Sequence, residues 1–274
     1  MRKYQSFNSS CAYAGIANLL LKFGVDVEDR DIIINSNAAY QVLYNKEKNA
    51  FSAGYKVQGK YWFNCFLNMI GFEYIEVSTN IDDYISRLQS NIEPHIIGLW
   101  INDIERHVHN YIGIENNKYK FLNNKWIDSN ENDFLYLNET EIRSVNRYEL
   151  KYGYLQKLNF RYESFDKTYF LRTLDNIEYY LIFLKYNFKV EKPIEVHIKE
   201  KETIYRTLLL DMQSMLEILG YLEMSETIKL LRSSYLRGLK KDAIFSLNDI
   251  LNFNEIETCI LFFKNVVEER LSKI

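Results

Sequence analysis

Apolar residues recur at helical spacing from Cys11 onward. Ile16, Leu19, Leu20 and Phe23 fall on one stripe, Asn8, Ser9 and Ser10 precede it as capping side chains, and Gly24 suits the position just past the end. The same spacing predicts helices over residues 29–36, 61–70 and 81–90, and alternation predicts strands around His95, His107 and Tyr119. Residues 107–114 run as a strand into a turn at 115–118, and residues 119–123 return beside them. Residues 148–162 alternate again and close the sheet. The first part of the chain therefore reads as an α+β domain, an antiparallel sheet with helices segregated to one side. After Phe165 strand signals almost vanish, and helical spacing covers 168–188, 202–219, 225–239 and 254–271. Pro193 and Gly220 act as breaks, and Ser225 or Asn254 as caps. The domains predicted are 1–162, with a sheet, and 163–274, a helical bundle. Gly54, Gly59 and mixed polarity mark residues 37–59 as a mobile segment beside a cleft.

Chemistry concentrates at few positions. Cys11 falls in the first turn of its helix, where the positive end of the macrodipole favours a thiolate. A thiolate nucleophile needs a base, and the chain has only four histidines, His95, His107, His109 and His197. His107 and His109 share one face of their strand, and His107 stands at its mouth, where the returning strand can bring Asn123 to orient the ring. Cys65 and Cys259 sit among apolar neighbours and read as core.

Gln5 six residues before Cys11, the apolar run from Pro94 to Trp100, His107 with Gly113-Ile114 after it, and a polar residue sixteen positions past that histidine form a recognisable set. It resembles the papain-fold peptidases that remove double-glycine leader peptides from bacteriocins. The resemblance covers roughly residues 1 to 145. It implies a papain-like cysteine peptidase fold, with Cys11 as nucleophile, Gln5 as oxyanion donor, His107 as base and Asn123 where aspartate usually stands. The chain departs from that family at Ser10-Cys11-Ala12, where Asp-Cys-Gly is usual, and at Asn123-Asn124, where Asp-Pro is usual. Asn124 and Asp128 remain alternatives for the third position. An asparagine can hold the ring but cannot stabilise imidazolium by charge.

Composition narrows the function. The net charge of −3 gives no global basic field, which argues against nucleic acid as a partner. No apolar stretch approaches the length of a membrane span, no apolar run follows Met1-Arg2-Lys3, and the cysteines are not closely paired. These features predict a cytoplasmic chain without a membrane partner. Tyrosine at 22 and phenylalanine at 17 supply core and pocket walls, with Tyr55, Trp62 and Trp100 as candidates beside the cysteine.

A helical appendage and the absence of an exporter segment make the chain more similar to a second group with the same core. These are the acyltransferases of natural-product assembly, resembling the butirosin transferase or the amide-forming enzyme of closthioamide biosynthesis. That resemblance implies an acyl group passing from a carrier-protein thioester to Cys11 and then to a small amine acceptor, forming an amide in antibiotic biosynthesis. The only cofactor is the phosphopantetheine carried by the acyl carrier protein itself. Arg232, Arg237, Lys240 and Lys241 form a candidate docking patch for that acidic partner. The alternatives are a cytoplasmic leader peptidase and a papain-fold binding module without catalysis.

Overall fold

The computed structural model describes residues 2–90, 92–100, 106–145, 150–163, 165–239 and 244–274. In chain order the elements begin with α1 (Cys11–Lys22), α2 (Asp29–Asn35), a hairpin of β1 (Val42–Asn45) and β2 (Ala50–Ala53), and α3 (Lys60–Leu67). There follow β3 (Phe72–Thr79), α4 (Ile81–Gln89), β4 (His95–Trp100), β5 (Arg106–Glu115), β6 (Lys118–Asn123), β7 (Phe134–Leu137), α5 (Glu139–Ser144) and β8 (Leu150–Lys157). The remainder is mainly helical, with α6 (Thr168–Asn187), α7 (Ile194–Lys199), a π-helical run Glu202–Leu210, α8 (Asp211–Ile218), α9 (Leu222–Gly238) and α10 (Phe253–Ser272), beside one short antiparallel pair of Lys192–Pro193 with Ile244–Phe245. Among the described residues no helix is long and apolar enough to cross a membrane.

The chain forms two compact units. One holds residues 1–36 and 58–165, the other residues 37–57 and 166–274. The first unit is α+β, an N-terminal helix packed on an antiparallel six-stranded sheet of order β3-β8-β4-β5-β6-β7. The sequence pattern anticipates α1 to α4 and the strands β4, β5, β6 and β8, but not α5. It does not anticipate β3 and β7.

Local chemistry explains several boundaries. Gly24 has φ +78° and closes α1, with its N–H on the Leu21 carbonyl and that of Val25 on the Leu20 carbonyl. Asn116 and Asn117, both with positive φ, form the two-residue turn between β5 and β6, where the sequence predicts one. Asn80 caps α4 through the Asp83 N–H, and Asn138 closes a capping box on α5 with Glu141.

The second unit differs from the predicted bundle in several ways. The expected helix over 202–219 divides into the π-helical run and α8, and α9 starts at Leu222, ahead of the predicted cap Ser225. Asn252 rather than Asn254 caps α10. Residues 37–57 also belong here and not to the sheet domain, so the expected boundary near 162 is incomplete. The buried carboxylate of Asp211 in α8 accepts from the Ala53 N–H at 3.0 Å and pairs with Lys56. Val42 donates its N–H to Thr173 Oγ1 at 3.1 Å, and Arg270 reaches Asn37 Oδ1 at 2.8 Å. Tyr55 is a core residue of this unit, and Trp62 is buried in the other.

Candidate functional site

Residues 6–10 set the position of Cys11. The Ser10 hydroxyl donates to Asp29 Oδ2 at 2.6 Å, and the Ser6 N–H reaches the same oxygen at 2.7 Å. Ser10 is thereby turned away from its own helix, so α1 has no side-chain cap, unlike the expectation for Asn8, Ser9 or Ser10. A first-turn N–H is left for another acceptor. Gln58, just before α3, supplies it: Oε1 accepts from the Ala12 N–H at 3.1 Å and lies 3.6 Å from Cys11 Sγ, while Nε2 donates to the Ser9 carbonyl.

Cys11 is 8% exposed. Burial pushes it above the ordinary thiol range, and the N–H groups of Val108 and Ala12, with Gln58, oppose that shift without overcoming it. A thiol primed by a neighbouring imidazolium shifts the other way.

The reason lies in strand register. Across the β4–β5 ladder Ile96 pairs with Asn110 and Gly98 with Val108, while Ile97 pairs with His109 and Leu99 with His107. Paired residues share a face and successive residues alternate. A Cβ built on Gly15 of α1 would lie 2.9 Å from Ile96 Cγ2 and 3.2 Å from Asn110 Oδ1, and Asn110 donates to the Gly15 carbonyl at 2.8 Å. The face toward α1 is thus that of Ile96, Val108 and Asn110. Ile97, Leu99 and Tyr111 cluster with Tyr84, Ile85 and Leu88 of α4 on the other face. His107 and His109 belong to this second face, their rings 5.0 Å apart. Cys11 and His107 are therefore not brought together, and the dyad expected from their order along the chain is corrected by one residue of register.

The third position follows the same rule. Asn123 pairs with His109 and so stands on the α4 side, where its amide donates to Glu131 at 3.0 Å and to the Asn132 carbonyl at 3.3 Å. Asn124, the alternative, is fully buried on the α1 side. It donates to Asn110 Oδ1 at 2.7 Å and to the Val108 carbonyl at 3.1 Å, and it accepts from Asn18 at 3.1 Å. The residues facing α1 at the strand mouth, Val108 and Asn124, are again sixteen positions apart. The spacing is kept while valine stands where an imidazole would be needed. Asp128 is exposed.

Gln5 is buried, donates its N–H to the Lys125 carbonyl at 2.9 Å and its side-chain amide to the Phe7 carbonyl at 2.8 Å. It braces the loop before Cys11. Gln58 is the amide that contacts the thiol, and sequence reasoning missed it because it sits in no periodic element. Its one signal is its place in the segment flagged as flanking the cleft.

Of the cationic patch, Arg232 is held inside the second unit, 5.0 Å over the Tyr205 ring and donating to its hydroxyl at 3.0 Å and to Gln213. Arg237 is exposed and donates to Ser234 at 3.2 Å. Lys240 and Lys241 lie outside the described residues. Cys65 and Cys259 are buried and in no disulfide, in keeping with their reading as core. Among the described residues no group of three His, Cys, Asp or Glu side chains could hold a metal ion.

No family model matches the chain. No curated protein matches it. Among solved structures the chain is similar to the peptidase domain of Streptococcus ComA, described as a bi-functional ABC transporter involved in a quorum-sensing pathway. The identity is 15%, over 57% of this chain and 96% of that one, with a TM-score of 0.37. A likeness of that strength carries no argument about activity, and the geometry alone informs the reading.

Proposed function

We propose that this chain is a thiol-bearing binding module of papain-like layout, which holds a peptide or acyl ligand at the head of α1 without a cysteine–histidine dyad. One observation carries the reading: the three strand imidazoles, His95, His107 and His109, stand on the sheet face opposite α1, while Val108 faces it. Peptide hydrolysis needs a base to take the thiol proton and pass it to the leaving amine. Leader-peptide cleavage is accordingly the reading with least support.

The test is the pH dependence of iodoacetamide labelling at Cys11, read by peptide mass spectrometry. Labelling should rise only as pH approaches or passes the ordinary thiol value of about 8.5. Persistence of fast labelling to pH near 6 would sink the reading. Val108→His puts an imidazole on the α1 face and should extend labelling to lower pH, whereas His107→Ala should leave the profile as it was.

A second reading is acyl transfer, favoured by the Ala12 N–H that already meets an amide oxygen beside Cys11 Sγ at 3.1 Å. In that reaction Cys11 sulfur attacks the carrier thioester, the pantetheine sulfur leaves with the thiol proton, and a small amine then displaces Cys11 to form an amide, itself serving as base. The acyl carrier protein would be the partner and bring the phosphopantetheine. Intact-mass measurement after mixing with acyl-loaded carrier protein decides it. An acyl-sized gain on the natural chain and none on Cys11→Ala supports transfer, and no gain on either removes it.

A further inference from the structure

We infer that Gln58 is a displaceable cover on Cys11, an internal carboxamide that occupies the position a ligand's amide carbonyl takes, so that ligand and Gln58 compete. The inference rests on the binding reading above and names its regulation. Both ends of the Gln58 side chain are engaged: Oε1 with the Ala12 N–H and Cys11 Sγ, Nε2 with the Ser9 carbonyl. The N–H it meets is available only because the Ser10 hydroxyl is committed to Asp29. A glutamine carboxamide is the same functional group as a main-chain amide, and the groups acting on the thiol are neutral N–H donors and burial. The competing ligand is therefore a peptide or other neutral amide.

The cover is also placed to move. Val57 before it is 44% exposed, and a Cβ built on Gly59 after it would meet nothing within 4 Å. Gln58 is moreover the first residue of the chain's return from the second unit to the first.

The experiment compares Cys11 labelling in the natural chain and in Gln58→Ala, using iodoacetamide and methyl methanethiosulfonate. Both reagents should react about tenfold faster with the variant, as when a blocking state populated nine-tenths of the time is removed. N-acetylglutamine methylamide should then slow iodoacetamide labelling of the variant and leave the natural chain unaffected. Rates within twofold of the natural chain would overturn the cover, and failure of the amide to protect the variant would overturn its competition with an amide ligand. If Gln58→Ala does not fold, Gln58→Asn serves, because a side chain one methylene shorter cannot hold both contacts. The pH midpoint of the variant's labelling separates this inference from the function it rests on. A midpoint below 7 would sink the dyad-free reading while leaving the cover intact.

Discussion

His95 and His109 lie on the α4 side of the sheet, 0% and 5% exposed. Burial lowers both, His95 to about 4 and His109 to about 3, with the neighbouring His107 adding to the effect on His109. Their folded pKa values lie below the unfolded value near 6.5, so the stability they contribute is complete above about pH 6.5 and is lost as pH falls toward 4. At pH 5 the loss should be about 2 kcal/mol for each imidazole. Urea unfolding at pH 7 and pH 5 measures it, and His109→Gln should remove about half of the difference. His107, the histidine read as the base, is half-buried on this same face and is kept from acting on Cys11 by its side of the sheet. The sequence states the residue type and its order along the chain, but an imidazole acts on a thiol only if it emerges on the same side of the sheet.

At the scale of elements, α1 was legible and its partner face was not. Alternation identifies β5, yet His109, Asn110 and Tyr111 are all buried, because both faces of this strand are covered. When neither face is solvent, period two cannot tell which parity meets α1. The polar residues Asn18, Asn110 and Asn124 carried the missing information, since their amides bond one another across helix and sheet. The alternation of β3 was present in Phe72 and Tyr74 against Glu73, while the four residues of β7, Phe-Leu-Tyr-Leu, offer none. The close approach of α1 depends on Gly15, where an added Cβ meets Asn124 Nδ2 and Ile96 Cγ2 at 2.9 Å. Gly15→Ala should therefore destabilise by about 1–3 kcal/mol. An exposed mid-helix glycine would instead gain up to about 1 kcal/mol from the same change, so the sign of the shift in chemical denaturation tests the packing.

For the whole molecule, the helical half was readable because each helix repeats its own period. Residues 37–57 were not, because their partners are Thr173, Asp211 and Arg270, far beyond any local window. A chain ended at residue 165 would keep the hairpin and lose those partners. Val42, Phe51, Ala53 and Tyr55, each at most 1% exposed, would then meet water. Such a truncation should bind anilinonaphthalene sulfonate and aggregate on size exclusion, and replacing 37–57 in it by a Gly/Ser linker should restore a monomer.

The same interleaving fixes an order of assembly. During synthesis the hairpin leaves the ribosome before its partners, for Asp211 follows it by more than 150 residues and Arg270 by more than 200. The second unit thus cannot close until residue 270 has been made, whereas every strand of the six-stranded sheet is available by residue 157. The sheet domain matures while a loop drawn from its own middle still waits for a partner, and that waiting interval is when this chain most needs a chaperone.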